Sequence, residues 1–319
     1  MPFPHFASRL CAVALMVMTA SVSCAQEFPA KPIRIVTPGI GGTSDFTSRL
    51  IAQGISSSLG QQVIVDNRPA GFIPGQVVSQ AAPDGYVVLL TSSSLWVGPL
   101  MQNTPYDAVK DFAPITTVTR APNILVVHPS LPVKSVKDLI SLAKTKPGEL
   151  NYASGAIGAS NHLAPELFKA MAQVSIARIS YKSAAIQMSD LLGGHVQLTF
   201  ASGGTVTPFL KSGRLRALAV TTAEPSPVAP GLPTVSATVP GYELVTHSGV
   251  FAPARTPEAA IHRINQEIVR FLGQADAKQK FLDSGVEAVS STPEQLAAII
   301  KSEISRLARV IKDAGIRAD

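Results

Sequence analysis

Four short turns of this chain are built from small residues, mostly glycine, serine and threonine, and each follows a run typical of a buried strand. The turns are Gly39–Asp45, Thr91–Ser94, Ser154–Ser160 and Ser202–Thr205. In open α/β sheets, ligands bind outside the carboxyl ends of the strands, where glycine lets backbone N–H groups approach and helix N-termini favour anions. The hydroxyl groups add neutral donors. Together the turns predict a site for a small acidic molecule, although each one alone reads as an ordinary strand-to-helix turn.

Signals for catalysis and for nucleotide binding are weak. The chain has no Gly-x-Ser-x-Gly nucleophile motif, no nucleotide-binding glycine fingerprint and no histidine pair at metal-ligand spacing. Ser160 and His162 could form a nucleophile and a base, but side chains two residues apart at a helix start diverge, which favours a capping role for Ser160. Asp45 and Arg49 have the spacing of a helical ion pair, although Asp45 could still face a cleft. No metal and no cofactor is expected.

Composition excludes several classes of protein. The chain has 319 residues, of which 46% are hydrophobic and 15% are charged. This length and composition predict one large or two ordinary folded domains and exclude a disordered protein. Aromatic residues make up only 6%, and the cations behind the net charge of +6 are scattered, so no nucleic-acid surface is expected. Both cysteines lie within the first 24 residues, which excludes a disulfide framework in the remainder.

The first 25 residues have the pattern of an export signal. Arg9 supplies a positive charge, residues 10–18 are apolar but too few to span a membrane, and cleavage is expected after Ala25. A short membrane anchor is an alternative. A lipoprotein cleaved before Cys24 is another, although Ser21 stands where such a signal has an aliphatic residue. The cleaved chain would contain no cysteine, which suits an oxidising periplasm.

Alternating strand and helix patterns must position the four turns. Short apolar runs predict strands, and apolar residues at helical spacing predict the helices between them, as in the helix that follows Gly42 and ends at Gly60. We expect its N-cap among Thr43, Ser44 and Asp45. The alternation predicts an α/β fold with mainly parallel sheets. The expected strands lie at 32–37, 62–66, 86–90, 124–127, 150–153, 177–181, 196–201 and 215–221.

The ordered set of motifs resembles one known family. Each motif is weak alone, but their order and spacing resemble the periplasmic solute-binding proteins of tripartite tricarboxylate transporters, the Bug-type receptors. The resemblance covers nearly the whole chain after residue 25. Its motifs are Phe28–Val36, the Gly41-Gly42-x-x-Asp45 turn, Asn67-Arg68-Pro69, Pro83–Tyr86, Gly155–Leu163, Tyr181-Lys182, Leu191–Gly194, Gly213–Val220, Phe251-Ala252-Pro253 and Thr256-Pro257.

The resemblance implies a type II periplasmic-binding-protein fold, in which two lobes with mainly parallel sheets are joined by crossing strands and close on a ligand. Residues 1–25 would be the signal peptide, 26–123 with 250–319 lobe I, and 124–249 lobe II. The implied function is that of an exported, non-enzymatic, monomeric receptor that captures a small organic carboxylate and delivers it to a tripartite tricarboxylate-type membrane transporter. Two alternatives stay open, a ligand-sensing receptor for a membrane signalling partner and a periplasmic serine hydrolase.

The predicted ligand contacts come from the small-residue turns of both lobes. Compared with the family, Ser183 stands where glycine is usual, Pro165 replaces a small residue, and Thr37–Gly42 lacks the usual aromatic residue. No cationic cluster marks a second carboxylate, which favours a mono- or aromatic acid. The predicted contacts are Gly41, Gly42, Thr43, Ser92 and Ser93 in lobe I, with Asp45 as a weaker candidate, and Ala156, Ser160, Ser183, Ala184 and Ser202 in lobe II.

Overall fold

The structure is a computed structural model that describes residues 28–40, 42–69, 71–155, 158–181 and 184–313. The predicted signal peptide lies outside these residues. So do three of the predicted ligand contacts, Gly41, Ala156 and Ser183.

The predicted alternation of strands and helices is confirmed. Most strands fall within one to three residues of the expected positions, because their apolar runs are local signals. The strands of the described residues are β1 (Ile33–Pro38), β2 (Val63–Arg68), β3 (Val87–Ser92), β4 (Phe112–Val127), β5 (Asn151–Ser154), β6 (Ala177–Ser180), β7 (Leu198–Ser202), β8 (Arg216–Val220), β9 (Val245–Pro253) and β10 (Glu287–Ala288).

Two sheets share strand β4. The first sheet has the order β2-β1-β3-β9-β4, with β10 also on β4, and the second runs β4-β7-β5-β6, with β8 on β4. Along β4, Pro122 is the last residue paired with β9, and Asn123 is the first paired with β7. The chain therefore passes from one sheet to the other between these two residues. The predicted lobe boundaries at 124 and 250 stay a prediction.

Strand directions differ between the crossing strands and the rest. β1, β2 and β3 pair in parallel, as do β5, β6 and β7, because each strand reaches the next through a helix. β4 and β9 pair antiparallel with all their neighbours. Both sheets are therefore mixed, and their parallel parts lie on either side of the two antiparallel crossing strands, β4 and β9.

Strands β4 and β9 are the elements that the sequence pattern predicts least well. We expect a strand only at 124–127, but β4 begins twelve residues earlier, at Phe112, and β9 is not predicted at all. Pro114 and Pro122 interrupt the strand pattern of β4, and the ladder of β4 with β9 shifts register between Pro114 and Thr116. Such irregular pairing hides the alternation on which strand prediction depends.

The helices lie between the strands and carry the turns. They are α1 (Thr43–Leu59), α2 (Ile73–Ser79), α3 (Ser94–Val97), α4 (Val136–Thr145), α5 (Ser160–Ala172), α6 (Ala184–Leu192), α7 (Gly203–Lys211), α8 (Glu258–Leu272), α9 (Ala275–Asp283) and α10 (Pro293–Asp313).

The two ends of α1 show one correct and one wrong prediction. Gly60 ends the helix as expected, with a left-handed φ of 66° that glycine adopts without strain. The predicted N-cap is wrong. Gly42 occupies that position, and no side chain caps the helix, so Thr43 and Ser44 are already helical residues. Their hydroxyl groups are therefore not used in a cap.

The last helix, α10, packs an apolar face into the core. Leu296, Ile300, Leu307 and Ile311 are buried, and they belong to a core cluster that also contains residues of both sheets. Trp96 is buried in the same cluster. In the described part of the chain, no helix is both long enough and apolar enough to cross a membrane.

Candidate functional site

A cavity of about 380 Å³ lies where the two sheets meet, and we call it the central cavity. The β4 residues Ala121, Pro122 and Asn123 line it at the change of sheet. The remaining lining comes from the ends of strands and the starts of helices in both sheets. The structure brings five of the predicted contacts together on its surface, namely Gly42, Thr43, Ser92, Ser160 and Ser202.

Two smaller cavities adjoin the central cavity. The side chamber, of about 310 Å³, shares Ser92, Ser160 and Thr246 with it and is also lined by the predicted contact Ser93. The third cavity, of about 220 Å³, is lined by Ala184, another predicted contact. Ser160 lines all three cavities. This position at the first turn of α5 makes Ser160 the predicted contact with the widest access to a bound molecule.

Asp45 is not among the residues that line these cavities. Its side chain is 7% exposed, accepts a hydrogen bond from Asn67 Nδ2 at 2.9 Å and pairs with Arg49 Nε at 2.9 Å. Asn67 Nδ2 also donates to the carbonyl oxygen of Gly39 at 2.8 Å. The ion pair of the sequence analysis is therefore present, and it braces the turn between β1 and α1.

Asn123, like Thr246 and Ser248, is a residue of this site that sequence reasoning missed. It is 3% exposed, its backbone N–H donates to Thr221 Oγ1 at 2.8 Å, and its Oδ1 lies 3.5 Å from the Ser160 hydroxyl. Its Nδ2 has no hydrogen-bond partner among the described residues. A buried amide donor without a partner is costly, so a ligand or water that accepts its hydrogen bond would be favoured. The one feature of the sequence that could have indicated Asn123 is the position of its amide directly before the apolar run Ile124–Val127.

The turn before α5 is held by side-chain amides. Asn161 Oδ1 accepts the backbone N–H of Gly155 at 3.2 Å, and Asn161 Nδ2 donates to Gln187 Oε1 at 3.3 Å. Gln187 is itself buried and donates to Thr199 Oγ1 at 3.0 Å and to the Ala153 carbonyl at 3.3 Å. These bonds connect the turn to β5 and β7 of the second sheet.

His162 supports the same turn as a neutral imidazole. It is 4% exposed, and burial, with the nearby positive charge of Arg178, lowers its pKa from the ordinary 6.5 to about 4. Its Nδ1 accepts the backbone N–H of Gly158 at 3.1 Å, which assigns the imidazole proton to Nε2. The Ser160 hydroxyl is directed to Asn123, and within the described residues no hydrogen bond joins Ser160 to His162. The pair lacks the contact that a nucleophile and its base need.

The donors around the central cavity are neutral. Within the described part of the chain, its lining contains hydroxyl, amide and backbone groups but neither lysine nor arginine. Among the described residues, no group of histidine, cysteine or acidic side chains could hold a metal ion. The arrangement suits a ligand whose oxygen atoms accept several hydrogen bonds at once.

Comparison with known proteins assigns the chain to a family. The model of the tripartite tricarboxylate transporter family receptor matches residues 47–316. The chain belongs to this family. Protein BugT of Bordetella pertussis is 34% identical over 318 residues, which cover 97% of this chain and 98% of BugT. The resemblance to Bug-type receptors is thereby confirmed, and the chain is a solute-binding receptor of that family.

Two solved structures of receptor proteins confirm the fold. Rpa4515 of R. palustris, solved with adipate, is 37% identical, with a TM-score of 0.78 over 91% of this chain and 99% of that one. MatC of Rhodopseudomonas palustris, solved with bound malate, is 25% identical, with a TM-score of 0.72 over 89% of this chain and 100% of that one. The predicted α/β periplasmic-binding fold is therefore correct.

Proposed function

We propose that this receptor captures a small organic carboxylate in the central cavity and delivers it to a tripartite tricarboxylate-type membrane transporter. One observation carries the proposal. Asn123 lines this cavity together with neutral donors from both sheets, and its buried Nδ2 has no hydrogen-bond partner among the described residues. A carboxylate has two oxygens that accept several hydrogen bonds, so it fits such a set of donors.

The two related structures support the ligand class. Rpa4515 was solved with adipate and MatC with malate, and both molecules are small organic acids. Gly41, Ala156 and Ser183, which lie outside the described residues, belong to the proposed contact set together with the five that line the central cavity.

Closure of two lobes is the proposed binding movement. Lobe I would consist of residues 26–123 and 250–319 and lobe II of residues 124–249, with β4 and β9 as the crossing strands. A ligand favours the closed state only through contacts that it makes with both lobes. Thr43 and Ser92 would supply donors from lobe I, and Ser160 and Ser202 from lobe II.

The setting of the receptor follows from the same proposal. Export by the signal peptide of residues 1–25 would place a monomeric protein in the periplasm, where the transporter subunits are its partners. No catalysis is proposed, because Ser160 and His162 do not form a nucleophile and base pair.

Calorimetric titration of the protein with linear, tricarboxylic and aromatic acids tests the ligand class. We expect selective binding of at least one acid that persists at high salt, because neutral donors are screened less than surface charges. A protein that binds none of these acids would contradict the proposal.

Asn123→Ala tests the proposed contact. We expect at least about tenfold weaker binding of the acid. The free energy of unfolding of the ligand-free protein should fall only slightly, because among the described residues Nδ2 has no partner and Oδ1 has only the long 3.5 Å contact with Ser160. Asn265→Ala is the matched control, since Asn265 Nδ2 donates to the carbonyls of Ile115 and Ser291 far from the cavity. It should lower stability and leave the affinity unchanged.

A further inference from the structure

The side chamber differs in chemistry from the central cavity that it adjoins. Serine and threonine line the passage between the two, whereas much of the remaining lining of the side chamber is apolar. The passage residues are Ser92, Ser160 and Thr246. The apolar side chains of the side chamber are Val97, Leu163, Val245, Leu244 and Leu307, which come from α3, α5, β9 with its preceding residue, and α10.

Arg306 also lines the side chamber, and within the described residues only one of its N–H groups is seen to donate a hydrogen bond. It lies on α10 and is half-buried, and its Nη1 donates to the carbonyl oxygen of Glu243. Within the described part of the chain, Arg306 forms no ion pair with a carboxylate. A guanidinium has five N–H donors in a fixed fork, so Arg306 can still bind an anion.

Glu303 is the acidic group that lines the same chamber. It is buried, its Oε2 accepts from Trp96 Nε1 at 2.7 Å, and its Oε1 lies 2.7 Å from His247 Nδ1. Both carboxylate oxygens are therefore engaged with neighbouring side chains. Arg306, not Glu303, has the free hydrogen-bonding capacity toward the chamber.

We propose that the side chamber binds the far end of an elongated dicarboxylate. One carboxylate occupies the central cavity, the methylene chain passes Ser92 and Ser160 and packs on Leu163, and the second carboxylate meets Arg306. This inference rests on the proposed function and narrows its ligand class. It also departs from the expectation of a mono- or aromatic acid. That expectation rested on the lack of a cationic cluster in the sequence, whereas here the single arginine Arg306, which α10 brings to the chamber, supplies the positive charge for the second carboxylate.

Calorimetry with a series of unbranched dicarboxylates from malonate to suberate tests the inference. Monocarboxylates and ω-amino acids of equal length serve as comparison ligands. We expect a longer dicarboxylate to bind at least about tenfold tighter than the monocarboxylate of equal length, because a charge-assisted hydrogen bond to Arg306 is gained. Arg306→Gln should remove that preference. Arg309→Gln is the matched control, since Arg309 is exposed on the same helix and does not line the chamber.

A second variant keeps the test independent of any structural role of Arg306. Ser94 is exposed and lines the chamber, so Ser94→Phe should fill it and weaken the binding of long dicarboxylates selectively. The inference is overturned if Arg306→Gln weakens all acids equally or none of them. It is also overturned if ω-amino acids bind best, because the chamber would then select a cation through Glu303. Failure of the unaltered protein to bind any acid would instead contradict the proposed function itself.

Discussion

The two sides of the central cavity present similar small polar residues but rest on different supports. The first wall, Gly39, Gly42 and Thr43 with Ser92, is braced by Asp45, Asn67 and Arg49, and the Arg49 side chain is 56% exposed. The second wall, Ser160 and Ser202 with Gly158 and Ala159 of the adjoining side chamber, is braced by neutral side chains, of which His162 and Gln187 are buried. Water can replace a lost hydrogen bond at the first wall but not in the interior behind the second. Walls with similar surface residues can therefore differ in how much stability they lose when a supporting side chain is replaced.

Gln187→Leu should have the largest effect on stability. It removes a buried amide that donates to Thr199 and Ala153 and accepts from Asn161, so we expect a loss of about 3 kcal/mol in the free energy of unfolding. Asn67→Leu is the counterpart at the first wall and should cost only about 1 kcal/mol, because Asn67 is half-buried. Denaturant unfolding of both variants provides the measurement. Equal losses of free energy of unfolding in the two variants would contradict the proposed difference between the walls.

Acid should weaken the second wall through His162. Its folded pKa of about 4 lies below the ordinary 6.5, so the unfolded state binds more protons between these values. The stability contributed by neutral His162 is therefore fully present above pH 6.5 and is lost as the pH falls toward 4, by about 2–3 kcal/mol. Denaturant unfolding across this pH range measures the loss.

His162→Asn isolates this contribution, since the amide oxygen can accept the Gly158 N–H without titrating. The variant should lose less stability than the unaltered protein between pH 7 and pH 4. His195→Gln, which removes an exposed imidazole, should keep the original pH dependence. A His162→Asn profile that overlays that of the unaltered protein would contradict the role of His162.

Ser160→Ala should weaken binding of the acid roughly tenfold, about 1–1.5 kcal/mol for one lost hydrogen bond. Thr43→Ala at the first wall should have a comparable effect, because closure needs contacts from both walls. Titration calorimetry of the two variants compares the walls as ligand contacts. Unchanged affinity in either variant would show that its residue does not contact the ligand. Ser212→Ala serves as the control, because Ser212 lies outside the three cavities and its replacement should leave the affinity unchanged.

Arg49→Ala should have the smallest effect. The exposed arginine pairs with a buried carboxylate that Asn67 also contacts, so we expect a loss below about 1 kcal/mol that shrinks at high salt. Lys146→Ala, which removes an exposed ion pair with Glu149, should give no measurable change. A loss at Arg49 as large as that of Gln187→Leu would show that the first wall is as intolerant as the second.

Prediction from the sequence succeeded where a signal was local. Apolar runs marked the parallel strands and Gly60 marked a helix end. Residues of the small-residue turns line the central cavity and the cavities beside it, and their role in ligand binding stays a prediction. It failed at β4 and β9, because two prolines and register shifts obscure the strand pattern. It also missed Asn123, whose proposed role depends on an amide donor that has no partner among the described residues, and this arrangement arises only from packing against β7 and α5.

The sequence by itself determined the α/β alternation, the family and the turns that surround the central cavity, because each is encoded in residues close together in the chain. Only the tertiary structure decided which of these residues share a cavity and which distant groups join them. Asn123 comes from the change of sheet, Thr246 from β9 and Arg306 from α10. Their meeting depends on strand pairing and helix packing over long separations, which no local pattern of residue types records.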